Sequence, residues 1–189
     1  MATLTKDLLA PLHKGCSSIQ LLPVVDGKVA NFAALDFTDA DLIYSIKDTF
    51  NISQDEPAVT ELKIDQGDAI IDTDIEAGAI NITASYPVAA VEAFNYFYNQ
   101  GAEITAIKSH DKATYEGQSY FNTAKTVECS LLAQSQSGDT AIAFARVQLT
   151  VSMQQDDSTQ PLYLAVTGKV LTNLADGVGD FAILKKKAA

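Results

Sequence analysis

Three carboxylates fall on alternate residues, Asp72, Asp74 and Glu76, separated by Thr73 and Ile75 and followed by Gly78. Carboxylates can hold a cation, carry a proton or repel an anion, and their spacing separates these roles. In a strand, alternate side chains share one face roughly 6 to 7 Å apart, too wide for a compact cation cage without further ligands. The run DTDIEAG also departs from a calcium loop, because its glycine comes one position late and Thr83 stands where the closing glutamate belongs. What remains is a row of like charges on a wet strand face.

The other reactive residue types are scattered. The two histidines are His13 and His110, and Ser109, His110 and Asp111 are consecutive, so their side chains cannot converge as a relay and read as a turn. Cys16 and Cys129 stand alone, without a disulfide framework or a CxxC metal pair, and read as buried or inert thiols. Phosphate-binding glycine loops and nucleophile elbows are missing from the sequence. We expect no catalytic residues, no cofactor and no metal. The sequons at Asn51 and Asn81 matter only in an exported chain. Arg146, the sole arginine, interrupts the face that alternation assigns to Ile142 and Phe144; a single ion pair explains it, and a salt bridge at a subunit interface is the sharper reading.

Charge is distributed unevenly. The chain has 189 residues and a formal net charge of -11, and the segment from Val29 to Ile107 holds two bases against fourteen acids. Affinity for nucleic acid comes largely from Lys and Arg on phosphates, so stable DNA binding is not expected. With 47% hydrophobic residues the composition suits one soluble globular domain spanning 1–189. No apolar run approaches the 20 residues of a membrane helix. The opening MATLTKDLLAPLHKGC, broken by Pro11, fits neither a signal peptide nor a lipoprotein cleavage site, and residues 1–15 read as a flexible N-terminal arm.

Period-two alternation runs through much of the chain. Strands are expected around Leu42 to Ile52, over VTELKID, in a hairpin across Glu76 to Gly78, and over Glu103 to Lys108, Thr126 to Gln134, Thr140 to Met153, Pro161 to Leu171 and DFAILKK. The hairpin would carry Ile71, Ile75, Ile80, Ile82 and Ala84 on one face and the acids on the other. SQSGDT is a hairpin turn. From Pro87 to about Gln100 the period changes, with Val88, Val91, Phe94 and Tyr98 along one stripe and Gly101 as a stop, which predicts a single flanking helix whose aromatic stripe belongs to the core. The fold class is mostly β: a β-sandwich or open barrel of two packed antiparallel sheets.

This order of elements, together with the QDEP and ELKID runs between Gln54 and Asp65, resembles the tail tube proteins of long-tailed bacteriophages from about Leu42 to Leu184, and is similar to type VI secretion tubes. The resemblance implies a structural virion protein of the tail, assembled in the host bacterial cytoplasm and working without a membrane. It implies stacked hexameric rings with terminator, tape measure and baseplate or tip proteins as partners, and a channel that double-stranded DNA traverses without specific binding. Asp72, Asp74 and Glu76 would then line the lumen and repel phosphates, Arg146 would sit at the subunit interface, and residues 1–15 and 48–57 would order on stacking. A soluble β-sandwich binding module, or another head or tail accessory protein, is the alternative.

Overall fold

The computed structural model describes residues 15–24, 26–38, 40–43, 48–63, 70–87, 91–156 and 161–187, excepting the side chains at 41–43, 62–63, 70–72, 87, 91–93 and 124. Six strands come first: β1 (Ser18–Pro23), β2 (Asp41–Ile43), β3 (Asn51–Gln54), β4 (Ala58–Lys63), β5 (Ile70–Glu76) and β6 (Ile80–Pro87). After helix α1 (Val91–Phe97) come β7 (Tyr98–Lys108), β8 (Thr114–Ala124), β9 (Val127–Gln134), β10 (Thr140–Gln154), β11 (Tyr163–Val170) and β12 (Phe181–Lys185). The architecture is mostly β, with antiparallel sheets and one short helix, sandwich-like rather than a closed barrel. Residues 1–14 of the expected N-terminal arm lie outside the described residues.

Eight strands form the main sheet in the order β2-β1-β9-β10-β11-β6-β3, with β12 added to β10. Pairing lines up one apolar face across it. Leu21 faces Leu131, which faces Phe144; Val151 faces Val166, which faces Ala84; Leu164 faces Tyr86. Each large side chain buried this way contributes about 1.5–3 kcal/mol. Tyr86 of β6 and Cys129 of β9, three strands apart in the sheet, belong to one buried cluster. Phe97 of α1 is wholly buried in the same cluster.

The central strand β10 changes phase midway. Its inward apolar residues are Ile142 and Phe144 and then Val147, Leu149 and Val151, and strict alternation would turn one of these sets outward. Between Phe144 and Val147 the register slips: three steps on β10 match two on β9, from Leu131 to Cys129. This β-bulge of one extra residue returns both sets to the core. It also moves Arg146 off the Ile142 and Phe144 face, to which alternation alone assigns it, and sets it beside Glu128 on the outer face. At the same point the edge of β10 passes from β12 to β11. The backbone in the gap stays satisfied, since Ala145 N–H donates to the Asp180 carbonyl at 2.8 Å and Leu171 N–H to the Arg146 carbonyl at 2.9 Å.

Two strand pairs leave the main sheet, β4 with β5 and β7 with β8. The hairpin expected across Glu76 to Gly78 is not formed: β5 pairs with β4, while β6 pairs with β3 and β11. One long ribbon results, for Gln54 faces Ile80 and, four residues further along each strand, Ala58 faces Glu76 in unbroken register. Gly78 is a close-approach glycine rather than a turn residue, because a Cβ there would stand 1.9 Å from the Asp55 carbonyl oxygen. The helix is also shorter than the expected span of 87–100. Tyr98 pairs with Ala124 and opens β7, so cross-strand hydrogen bonding takes over from the helix, and Gly101, expected as its stop, lies inside β7 near Ser119.

Gly78→Ala is therefore expected to destabilise the protein by about 1–3 kcal/mol through overpacking against backbone. Gly117→Ala, where an added Cβ meets nothing within 4 Å, should stay within about 0.5 kcal/mol of the parent. Urea unfolding of the two variants checks the contrast, and equal stabilities would refute the close-approach role of Gly78.

Candidate functional site

The acidic row belongs to an arm made of β4 and β5. Thr60 pairs with Asp74 and Ala58 with Glu76. Opposite residues of an antiparallel pair project to the same side, so these four share one face, and all are exposed. Position 72, paired with position 62, continues the row in register; the side chain of Asp72 lies outside the described residues. The other face carries Val59 opposite Ile75, 58% and 66% exposed, and Glu61 opposite Thr73. The arm is a two-sided ribbon, acidic on one side and partly aliphatic on the other.

The ribbon changes character as it leaves the body. Ile82 and Ala84 face the core, and Glu76 and Asp74 continue the same alternation down the chain. The side of the ribbon that is apolar over the core becomes acidic beyond it. The joint is held by hydrogen bonds. Asp55 N–H donates to the Ala79 carbonyl at 2.9 Å, Gln54 Nε2 to the Gly78 carbonyl at 3.3 Å, and Asn81 Nδ2 to both Asp55 carboxylate oxygens at 3.1 and 3.2 Å.

Arg146 makes a forked pair within its own chain. Its Nε donates to Glu128 Oε2 at 3.0 Å, its Nη2 to Oε1 at 3.2 Å and its Nη1 to the Thr172 carbonyl at 3.4 Å. The guanidinium lies against Gly27, whose φ of 64° sets a turn and where a Cβ would stand 3.0 Å from Cζ. The arginine therefore ties the bulge of β10 to β9 and to two loops. Both side chains are mostly covered, 18% and 34% exposed, and the fork is the strong geometry for such a pair.

Ser109, His110 and Asp111 form the turn between β7 and β8. Lys112 N–H donates to the Ser109 carbonyl at 3.0 Å and Ser109 N–H to the Ala113 carbonyl at 2.9 Å. The Ser109 hydroxyl bonds the Asp111 carboxylate and holds its carboxyl below the usual range. Among the described residues no three of His, Cys, Asp and Glu converge to hold a metal ion. Cys129 is buried, which pushes its thiol up to about 12, and partial burial raises the Cys16 thiol as well. A groove of about 680 Å3, lined by Phe94, Tyr98, Tyr120, Phe121 and Met153 among others, opens between the start of the β7 and β8 ribbon and the end of β10. Phe94 and Tyr98 of the expected stripe are half-buried and pack against the core cluster, and both also line the groove, Phe94 5.3 Å from the Tyr120 ring; the wholly buried aromatic of the helix is Phe97, which lies off that stripe. Helical spacing gave no signal for the groove, because β8, which supplies Tyr120, is not evident in the alternation.

The chain matches no protein-family model and no curated protein sequence. Fold and site together define an open, sandwich-like β protein with two projecting ribbons, one of them amphipathic and acidic.

In the native protein at pH 8, Ellman's reagent is expected to react slowly at Cys16 and to spare Cys129 until the chain unfolds, because the thiolate is the reactive form and is nearly absent well below its pKa. Rapid titration of both thiols would contradict the burial. For Arg146, a double-mutant cycle of Arg146→Met with Glu128→Gln should return a coupling of about 1 kcal/mol, the range for a hydrogen-bonded, partly covered pair. Strictly additive effects would show that the fork contributes nothing.

Proposed function

We propose that the chain is a structural subunit that assembles with copies of itself into stacked rings, hexameric as in the phage tail tubes it resembles, and that Asp72, Asp74 and Glu76 face the bore. The observation that carries this reading is the arm: its carboxylates occupy the face that has left the core, while its opposite face exposes Val59 and Ile75. One face suits water and the other suits protein. The main sheet also ends at β2 and β3 without further partners among the described residues, and open edges are templates for pairing with another chain.

The electrostatics fit a conduit. Carboxylates on a wet wall repel phosphates, whereas Lys or Arg there would displace counterions and grip DNA in a salt-dependent manner. In this reading the protein belongs to the tail of a virion, the DNA passes through without specific binding, and the terminator, tape measure and baseplate or tip proteins are its neighbours.

Sedimentation velocity and negative-stain electron microscopy across a concentration series test the assembly. Rings and short tubes are expected, and a 20.2 kDa species at every concentration would overturn it. In assembled tubes, Asp72→Lys with Asp74→Lys should retain added double-stranded DNA at about 50 mM salt and release it by about 500 mM, following counterion release. Tubes of this variant that bind no more DNA than the parent would place the acidic row outside the bore.

A further inference from the structure

Strand β12 carries the most exposed of the uncovered apolar side chains among the described residues, and beside it lies charge opposite to that of the arm. Phe181, Ile183 and Lys185 pair with Phe144, Ile142 and Thr140 of β10 and so share one face. Phe181 leans on the Phe144 ring, 6.3 Å between centroids, yet Ile183 is 74% exposed, more than any other exposed large hydrophobic among the described residues. Lys185, Lys186 and Lys187 follow in sequence, all exposed. The arm offers the complement: Val59 and Ile75 exposed on one face of a ribbon whose opposite face carries Asp74 and Glu76.

We infer that the Val59 and Ile75 face of the arm seats on the Phe181, Ile183 and Lys185 face of β12 in a second copy of the chain. Two aliphatic groups meet an aromatic and an aliphatic one, and Lys185 with the lysines after it lies toward the acidic ribbon. Seating the arm by this face leaves Asp74 and Glu76 in water. Each copy has one arm and one β12, so the contact is heterologous and passes from copy to copy, closing into rings or continuing as a filament according to its angle. The inference rests on the self-assembly part of the proposed function and does not require a tube.

Two variants made at exposed positions of the full chain test it. The arm variant is Val59→Thr with Ile75→Thr; the strand variant is Ile183→Glu with Lys185→Glu. Each alone should self-associate about tenfold or more weakly than the parent in sedimentation velocity, as loss of a central apolar anchor entails. Mixed in equal amounts, the strand variant still has its arm and the arm variant still has its β12. The mixture should therefore form a 1:1 complex of twice the 20.2 kDa chain mass and stop there, which also shows that both variants are folded. A mixture that forms no more dimer than the separate variants overturns the contact. Parent tubes beside a monomeric mixture leave the tube and remove this contact; a 1:1 complex without parent tubes keeps the contact and removes the tube.

Discussion

One extra residue in β10 sets the geometry of the whole sheet. Side chains alternate with period two, so a strand whose apolar positions change parity at Arg146 can bury both halves only if its backbone slips by one. The slip between Phe144 and Val147 does this, and every neighbour depends on it: β9 pairs across it on one edge, while β12 and β11 divide the other edge at the same point. A bulge leaves backbone and side chains that no regular ladder satisfies, and this one gathers its own supports. Arg146 forks onto Glu128, and the loop between β11 and β12 returns beside it through Asn173. That buried amide accepts from Val29 N–H and donates to the Val29 carbonyl, both at 2.9 Å, while the backbone N–H of Asn173 donates to the Asp180 carboxylate at 2.7 Å. A buried amide with its partners in place is a rigid clamp rather than a liability.

The long ribbon shows what happens where such a core stops. Its register is unbroken from β3 and β6 into β4 and β5, so the same side of the backbone runs from Ile82 to Asp74. Burial decides the residue type at each end. Over the core that side must be apolar; beyond Gly78 it meets water and carries acid. The opposite side inverts as well, from Asn81 and Thr83 to Ile75. A ribbon that is polar outside and apolar inside at its base, and the reverse along its arm, has its second apolar face turned away from its own body.

The sequence carried the periodic part of this fold well. The turn after β9, the 15-residue β10, β11, β12 and a mostly β class with a single flanking helix all follow from alternation and turn residues. Strands β1 and β8 escaped, β8 because Glu116, Gly117 and Gln118 break its apolar rhythm and its pairing with β7 slips three times. Gly78 misled for a physical reason: a glycine that admits a neighbouring carbonyl and a glycine that makes a turn are the same letter. The phase change at Arg146 was visible as apolar residues on both faces of one strand, but only pairing with β9 shows that both sets point inward. The acidic row was legible as a row and its exposure follows. The Val59 and Ile75 face was not legible, because it depends on β5 pairing with β4 instead of β6.

The acidic row also limits which side of the arm another molecule can occupy. Two carboxylates about 6.5 Å apart in water repel by roughly 0.6 kcal/mol, and salt at physiological strength screens this further, with a Debye length of about 8 Å. Bathed in solvent, Asp74 and Glu76 are tolerated at small cost. Under a protein surface the effective dielectric falls toward about 20, the same repulsion rises about fourfold, and each carboxylate also loses hydration that only a paired cation could replace. The Val59 and Ile75 face has the opposite balance, since every square ångström removed from water there is favourable by about 25 cal/mol. The two faces of one ribbon therefore assign themselves: an assembly that dries the aliphatic side and leaves the acidic side wet gains on both counts.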